Sequence, residues 1–368
     1  MLIGAALGAV AGVHAQTNVS ALAVPSSAPS TAQQPAGSGN DLVPLFVRLG
    51  DAPLAAVAGN KRSGMKMTAD QQRAYAAQLA AKQATLMSQI GALGGRQVAS
   101  LTKASNALVV EVAASQAPVI ARLPGVAQVL QVGDYQLDLA TTVPYIGASV
   151  LQAAGLDGTG VRVAVLDSGV DFMHYNLGGT GSVADYNTCY AQANVAPSGI
   201  CASFFGPTAP KVIGGYDFVG EVWPNSALAP DPNPIARTVT GGHGNNVADI
   251  ILGRSADGVR KGVAPGAKLI AVKVCSAVSS SCNGTAILQG IDFSLDPNQD
   301  GDLSDAVDDI NMSLGASYGQ RENATVFSTN VASQFGVVVV ASAGNSANRP
   351  FITGSPSMST SAISVAQT

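Results

Sequence analysis

The sequence predicts a doubly wound α/β domain on a mostly parallel sheet, preceded by a small α+β unit. After Gly158, short β-rich runs alternate with helical patterns. Several of those runs, such as VVVV at residues 337–340, are apolar without interruption, as strands covered on both faces must be. Between residues 43 and 138 the order reads β-α-β-β-α-β instead.

The elements follow in chain order. Residues 1–15 open on a small, apolar run, MLIGAALGAVAGV, and Val13-His14-Ala15 has the small-x-small form of a signal-peptidase site, so export is expected. No Lys or Arg precedes Arg48, so the positive leader of a signal peptide is missing. Residues 16–42 are rich in Ala, Ser, Pro, Gln and Gly and read as a disordered linker. A strand is predicted at 45–49, then a helix over 68–93, opened by the Thr68/Gln71 capping pair and closed by Gly94-Gly95. Tyr75, Leu79, Leu86, Ile90 and Leu93 share one face of that helix. Strands at 96–102 and 107–112, a short helix at 115–123 and a strand at 125–132 complete the first unit. In the second, residues 139–368, the runs fall at 162–166, 247–252, 269–274, 286–295, 309–314, 324–335 and 337–342.

Composition narrows the function. A formal charge of −4 and an aromatic content of 5% leave neither a basic stripe for phosphates nor a platform for stacking bases, so nucleic acid is excluded as a partner. Nine basic and six acidic residues precede position 139, against ten and seventeen after it, opposite net charges that suit two units docking on each other. No later stretch is apolar over the roughly 18 residues a membrane helix needs. The cysteines number four. Cys189 and Cys201 flank one loop and Cys275 and Cys282 another, which favours two local disulfides over zinc or free thiols.

The chemistry-bearing residues stand at strand ends. Asp167 closes the run Gly160-Val-Arg-Val-Ala-Val-Leu-Asp167, and carboxyl ends of strands are where open α/β sheets build sites. Only His174 and His243 follow the export segment, and His243 directly precedes a helical pattern, a suitable place for a general base. Val340-Ala-Ser-Ala-Gly-Asn345 places a carboxamide at a further strand end. Asp296, Asn298, Asp300, Asp302 and Asp305, around Gly301, alternate like the ligands of a Ca²⁺ loop; a solvated acidic turn is the alternative, since position twelve is Val307 and not the Glu of an EF-hand.

Taken together, and in this order, the segments around Asp167, His243, GVAPGAKLIAVKV (262–274), INMSLG (310–315) and SAGN (342–345) resemble the subtilase family of serine peptidases. The resemblance implies a subtilisin-like parallel sheet preceded by a ferredoxin-like inhibitory prodomain (43–138), whose LPGVAQVLQV run also fits, with processing near residues 138–144. Asp167 and His243 then match the acid and base of an Asp-His-Ser triad and Asn345 the oxyanion donor. Ser313, Leu314 and Gly315 match the edge that pairs with substrate backbone, and Ser342, Ala343 and Gly344 a wall beside the scissile bond. The implied partners are polypeptide substrates and the protein's own prodomain, acting as inhibitor and folding chaperone; the implied location is extracellular, with no membrane attachment once the signal is removed. Asn245, Asn246 and Asp249 depart from the family's HGTHVAG segment.

The family's nucleophile lies in a GTSMAxP motif that does not occur here; Ser357, in GSPSMSTS, resembles it only in letters and is followed by a strand pattern. The chain by itself is therefore expected to be inactive, as the front part of a secreted endopeptidase precursor. The alternatives are a non-catalytic secreted binding protein built on the prodomain, or a calcium-binding scaffold.

Overall fold

The computed structural model describes residues 40–133, 135–137 (as backbone), 146–237, 242–346 and 349–366. The predicted signal segment, the linker up to residue 39 and the predicted processing region from 138 to 144 lie outside the described residues.

The front unit is a four-stranded antiparallel sheet in the order Arg96–Leu101, Ala107–Ala113, Leu42–Leu49, Val126–Gln131. The first strand starts earlier than predicted because Leu42, Val43 and Pro44 pair with Ala113, Val112 and Glu111. The helix Ala69–Ala92 crosses one face; Thr68 Oγ1 accepts from Gln71 N–H while the Gln71 side chain accepts from Thr68 N–H, which satisfies two orphan donors. Its buried face is less apolar than the pattern implied. Gln83 is buried there, donating to Leu101 O at 2.8 Å and Asn106 Oδ1 at 2.9 Å. The second helix shrinks to Ala117–Ile120, since Pro118 has no N–H to give and must sit at a helix start.

This sheet is buried on both faces. Leu45, Val47, Leu108 and Val110 pack under the helix with Leu86 and Ile90. Phe46, Val109, Leu130 and Val132 point the other way and pack on Leu288 and Ala324 of the second unit. Runs such as Leu-Phe-Val and Leu-Val-Val are thus explained by docking, because an antiparallel sheet with one wet face would alternate.

The second unit carries a six-stranded parallel sheet in the order Ile363–Val365, Val338–Ser342, Asp309–Met312, Arg162–Asp167, Lys268–Lys273, Val212–Asp217. Along Arg162–Asp167, Val163 and Val165 face one core while Ala164 and Leu166 face another; Lys268–Lys273 alternates likewise through Leu269/Ala271 and Ile270/Val272. Helices Gly284–Ser294 and Ala324–Phe335 cover one face and His243–Leu252 the other. From the central strand the chain steps to one edge, returns through Lys268–Lys273 and crosses to the opposite side, so the carboxyl end of Arg162–Asp167 stands where the winding reverses.

Both local disulfides form: Cys189–Cys201 with Cα atoms 5.5 Å apart, and Cys275–Cys282 at 3.8 Å. Sequence patterning missed the edge strand Val212–Asp217, whose Gly214 and Gly215 carry no side chains to mark a period, and the small lobe formed by Leu54–Val57 and the Gly59–Met65 hairpin.

Candidate active site

Asp167 ends the central strand with its side chain fully buried, one oxygen accepting Ser168 N–H at 2.7 Å. His243 is the first residue of the His243–Leu252 helix, and its Nδ1 lies 2.8 and 2.9 Å from the two Asp167 oxygens. The next two residues of the helix also hold the Asp167 loop. Gly244 N–H donates to Ser168 Oγ at 3.0 Å, and Asn245 Oδ1 accepts Asp171 N–H at 2.5 Å. A Cβ on Gly244 would stand 2.2 Å from Gly169 O and 3.2 Å from Asp167 Oδ1, so only glycine lets helix and loop approach this closely. Ser168 and Asn245 thus tie the helix to the Asp167 loop; the sequence marks Asn245 only as a departure from the family pattern and gives no sign of Ser168.

Asp249 is accommodated without intruding on the sheet: its Oδ1 accepts Asn176 Nδ2–H at 2.9 Å. His174 is an exposed loop residue whose Nδ1 accepts Asn176 N–H.

Lys273, the register partner of Asp167 on the neighbouring strand, is fully buried. Its Nζ lies 2.8 Å from Asp217 Oδ2 and also donates to Glu221, whose other oxygen accepts the Tyr190 hydroxyl. Burial works against the ammonium, but the two carboxylates outweigh it and raise the Lys273 pKa. Asp231, joined to Asp217 by paired backbone hydrogen bonds, is pushed up to about 7, chiefly by burial. A lysine inside an otherwise apolar strand, AVKV, was the only sequence signal of this network.

Ser313–Gly315 and Ser342–Gly344 come together at the same end of the sheet. Ser342 Oγ donates to Leu314 O at 3.3 Å. Leu314–Gly315 pairs antiparallel with the backbone of Tyr135–Leu137, which on its other side pairs with Ser281–Cys282. The short edge is therefore extended by a strand from the chain's own earlier segment, the geometry in which sheet edges receive extended peptides. Asn345 is exposed just past the strand Val338–Ser342, which lies two strands from Arg162–Asp167 in the sheet. Ser357 is buried at the far edge, its hydroxyl bonded to Ser364 Oγ.

The acidic loop at 296–305 has the donor chemistry for Ca²⁺ but does not gather it. Among the described residues no three His, Cys, Asp or Glu side chains converge as a metal site. Asp296 is paired instead with Lys103 Nζ at 2.8 Å. Asp305 Oδ1 is buried without a hydrogen-bond partner, and burial, then Asp296 and Asp300, raise that carboxyl's pKa.

A buried carboxylate thus holds an imidazole at the carboxyl end of a parallel sheet, beside an edge that pairs with extended backbone. The profile of the subtilase family matches residues 158–368, and the chain belongs to that family. It is 32% identical over 228 residues to the minor extracellular protease Vpr of Bacillus subtilis (strain 168), covering 62% of this chain and 23% of that protein. Against subtilisin DY of Bacillus licheniformis it is 31% identical over 214 residues, covering 56% of this chain and 57% of the relative. Subtilisin E of Bacillus subtilis (strain 168) is 31% identical over 212 residues, 56% of this chain and 41% of the relative. The chain thus spans less than two thirds of each of these proteins. Among the described residues no helix is long and apolar enough to cross a membrane.

Proposed function

We propose that this chain is the front part of a secreted serine endopeptidase in which Asp167 and His243 serve a serine hydroxyl. The observation that carries the reading is the contact of His243 Nδ1 with both oxygens of buried Asp167. Held this way, the imidazole keeps its proton on Nδ1 and offers Nε2 as base. The serine Oγ adds to the scissile carbonyl carbon as its proton passes to Nε2. The same proton then goes to the departing amine nitrogen as the C–N bond breaks, and water repeats the cycle on the acyl ester. Asn345 supplies a donor to the oxyanion from its amide nitrogen. Leu314–Gly315 pairs with substrate backbone, with Ser313 and the Ser342–Gly344 segment beside the scissile residue.

No serine of the second unit lies in a GTSMAxP motif, so the reading calls for one supplied from beyond these residues. Residues 43–138 act as the inhibitory prodomain, residues 1–15 as export signal, and 139 onward as the peptidase domain. Support for the inhibitory role comes from Tyr135–Leu137, whose backbone occupies the edge a substrate would use. Asp296, Asn298, Asp300, Asp302 and Asp305 are the oxygen donors a structural Ca²⁺ would take, and the orphaned Asp305 Oδ1 is an acceptor it would satisfy.

The test is the full product of the reading frame, freed of its first unit and assayed on denatured casein. His243→Ala is expected to lower kcat/KM by about 10⁴-fold or more. Undiminished hydrolysis by that variant, or an in-frame product without protease activity, refutes the proposal.

A further inference from the structure

The small lobe of the front unit carries a turn at residues 60–62 that sits on the carboxyl end of the helix Ala324–Phe335. A helix leaves its last four carbonyls without partners of its own. Two of these are satisfied by the chain that follows, Gly336 N–H donating to Ser333 O and Val337 N–H to Ala332 O. The other two are taken by the front unit: Gln334 O accepts Asn60 Nδ2–H at 2.9 Å and Phe335 O accepts Lys61 N–H at 2.8 Å. Gly336 O, just beyond, accepts Arg62 Nε–H at 2.9 Å, which sets a guanidinium at the negative end of the helix. Lys61 Nζ lies 2.7 Å from Asp308 Oδ1 and donates to Ala306 O as well.

The turn holds its own shape. Asn60 Oδ1 accepts the N–H groups of Arg62 and Ser63 at 2.9 and 3.0 Å, and Gly59–Asn60 pairs with Gly64–Met65. A preformed turn loses little freedom on docking. Its place is also distinct from the cleft. Asp308 immediately precedes the strand Asp309–Met312, and Gly336 stands just ahead of Val338–Ser342, so the contact lies at the amino ends of the parallel strands. Leu314–Gly315, where Tyr135–Leu137 pairs, follows the other end of Asp309–Met312.

Resting on the reading of the front unit as an inhibitory prodomain, we propose that the turn at 60–62 is a second anchor, separate from the strand in the cleft, that keeps the front unit bound after the chain between the units is cut. Two linked grips hold more tightly than either alone, because while one is closed the other re-forms at high local concentration. Withdrawal of Tyr135–Leu137 is then followed by its return, and the cleft clears only when the turn lets go too.

The full product of the reading frame tests this, with the cut between the units followed on gels and casein hydrolysis followed in parallel. In the unaltered protein hydrolysis is expected to lag behind the cut. The double variant Lys61→Ala, Arg62→Ala should shorten that lag, counted from the cut, about tenfold, the scale of losing a hydrogen bond to a charged group. Arg62 is exposed, so Arg62→Ala alone leaves the fold intact and decides the matter should the double variant not accumulate; its lag is expected to be about threefold shorter. A lag that is unchanged or longer in the variant overturns the second anchor and leaves the inhibitory reading standing. Hydrolysis by the unaltered protein that starts together with the cut, or never starts, removes the inhibitory reading and the anchor with it.

Discussion

Replacing Asp292 with alanine is expected to weaken the hold of the front unit on the second by about 3 kcal/mol. Asp292 lies on the helix Gly284–Ser294, is buried, and accepts the N–H groups of Lys103 and Ala104 at 3.0 and 2.6 Å. Truncation strands two donors, that of Ala104 buried and that of Lys103 part-buried, each worth about 1–3 kcal/mol when left without an acceptor in the interior. Against that loss stands relief from burying a carboxylate, a cost visible in the raised pKa of Asp292, whose first cause is burial. A net of about 3 kcal/mol corresponds to a population change of about 150-fold. Asp292→Asn keeps a neutral acceptor in place and should lose about half as much, because hydrogen bonds to a charged partner are about twice as strong as neutral ones. Urea unfolding of the full chain measures the free energy, and hydrogen exchange at Lys103 and Ala104 localises it. Stability within about 0.5 kcal/mol of the unaltered protein, with those two amides equally protected, would refute the reasoning, since surface changes of no consequence fall in that range.

Burial holds Asp231 at about 7 in the folded protein, so between about pH 4 and 7 the folded state keeps a proton that the unfolded chain has released. Stability therefore falls as pH rises through that window. Asp231→Asn should flatten the fall and raise Tm above that of the unaltered protein at pH 8, leaving a slope from Asp309, held at about 6 by burial and then by Asp308; parallel Tm curves for the two proteins would refute the assignment. At Gly290, a Cβ would stand 2.9 Å from Val272 Cγ1 and 3.1 Å from Leu166 Cδ2. Gly290→Val should consequently cost about 1–3 kcal/mol by overpacking the helix against the sheet, and an unchanged urea midpoint would show that the contact yields freely.

Local rules were enough for much of the fold. The capping pair at Thr68 and Gln71 spans four residues, and it opens the helix where the letters say it should. Uninterrupted apolar runs could be read as buried strands because a residue's side of the sheet hardly matters when both sides are dry. Asp167, His243 and the Ser313–Gly315 edge were legible as well, each at the end of an element where backbone geometry exposes a side chain or a free edge. Elements without such a signature were not: Val212–Asp217 is a strand because it lies beside Lys268–Lys273, and nothing in its glycine-bearing sequence demands it.

What the amino-acid order determined by itself was most of the elements, the two local disulfide pairings and the residues that stand at strand ends, since all of these depend on neighbours a few positions away. Tertiary structure alone decided what meets across long separations. It placed His243 on Asp167, closed the Lys273–Asp217–Glu221 cluster, turned the second face of the front sheet onto two helices, and gave Asp296 a lysine as its partner. Such contacts join residues far apart in the chain, 76 positions for His243 and Asp167 and 278 between Phe46 and Ala324 in one packed cluster (324 − 46), and no local periodicity records them. They form because a buried charge must find a partner and a buried apolar face a cover, and only the completed fold offers either.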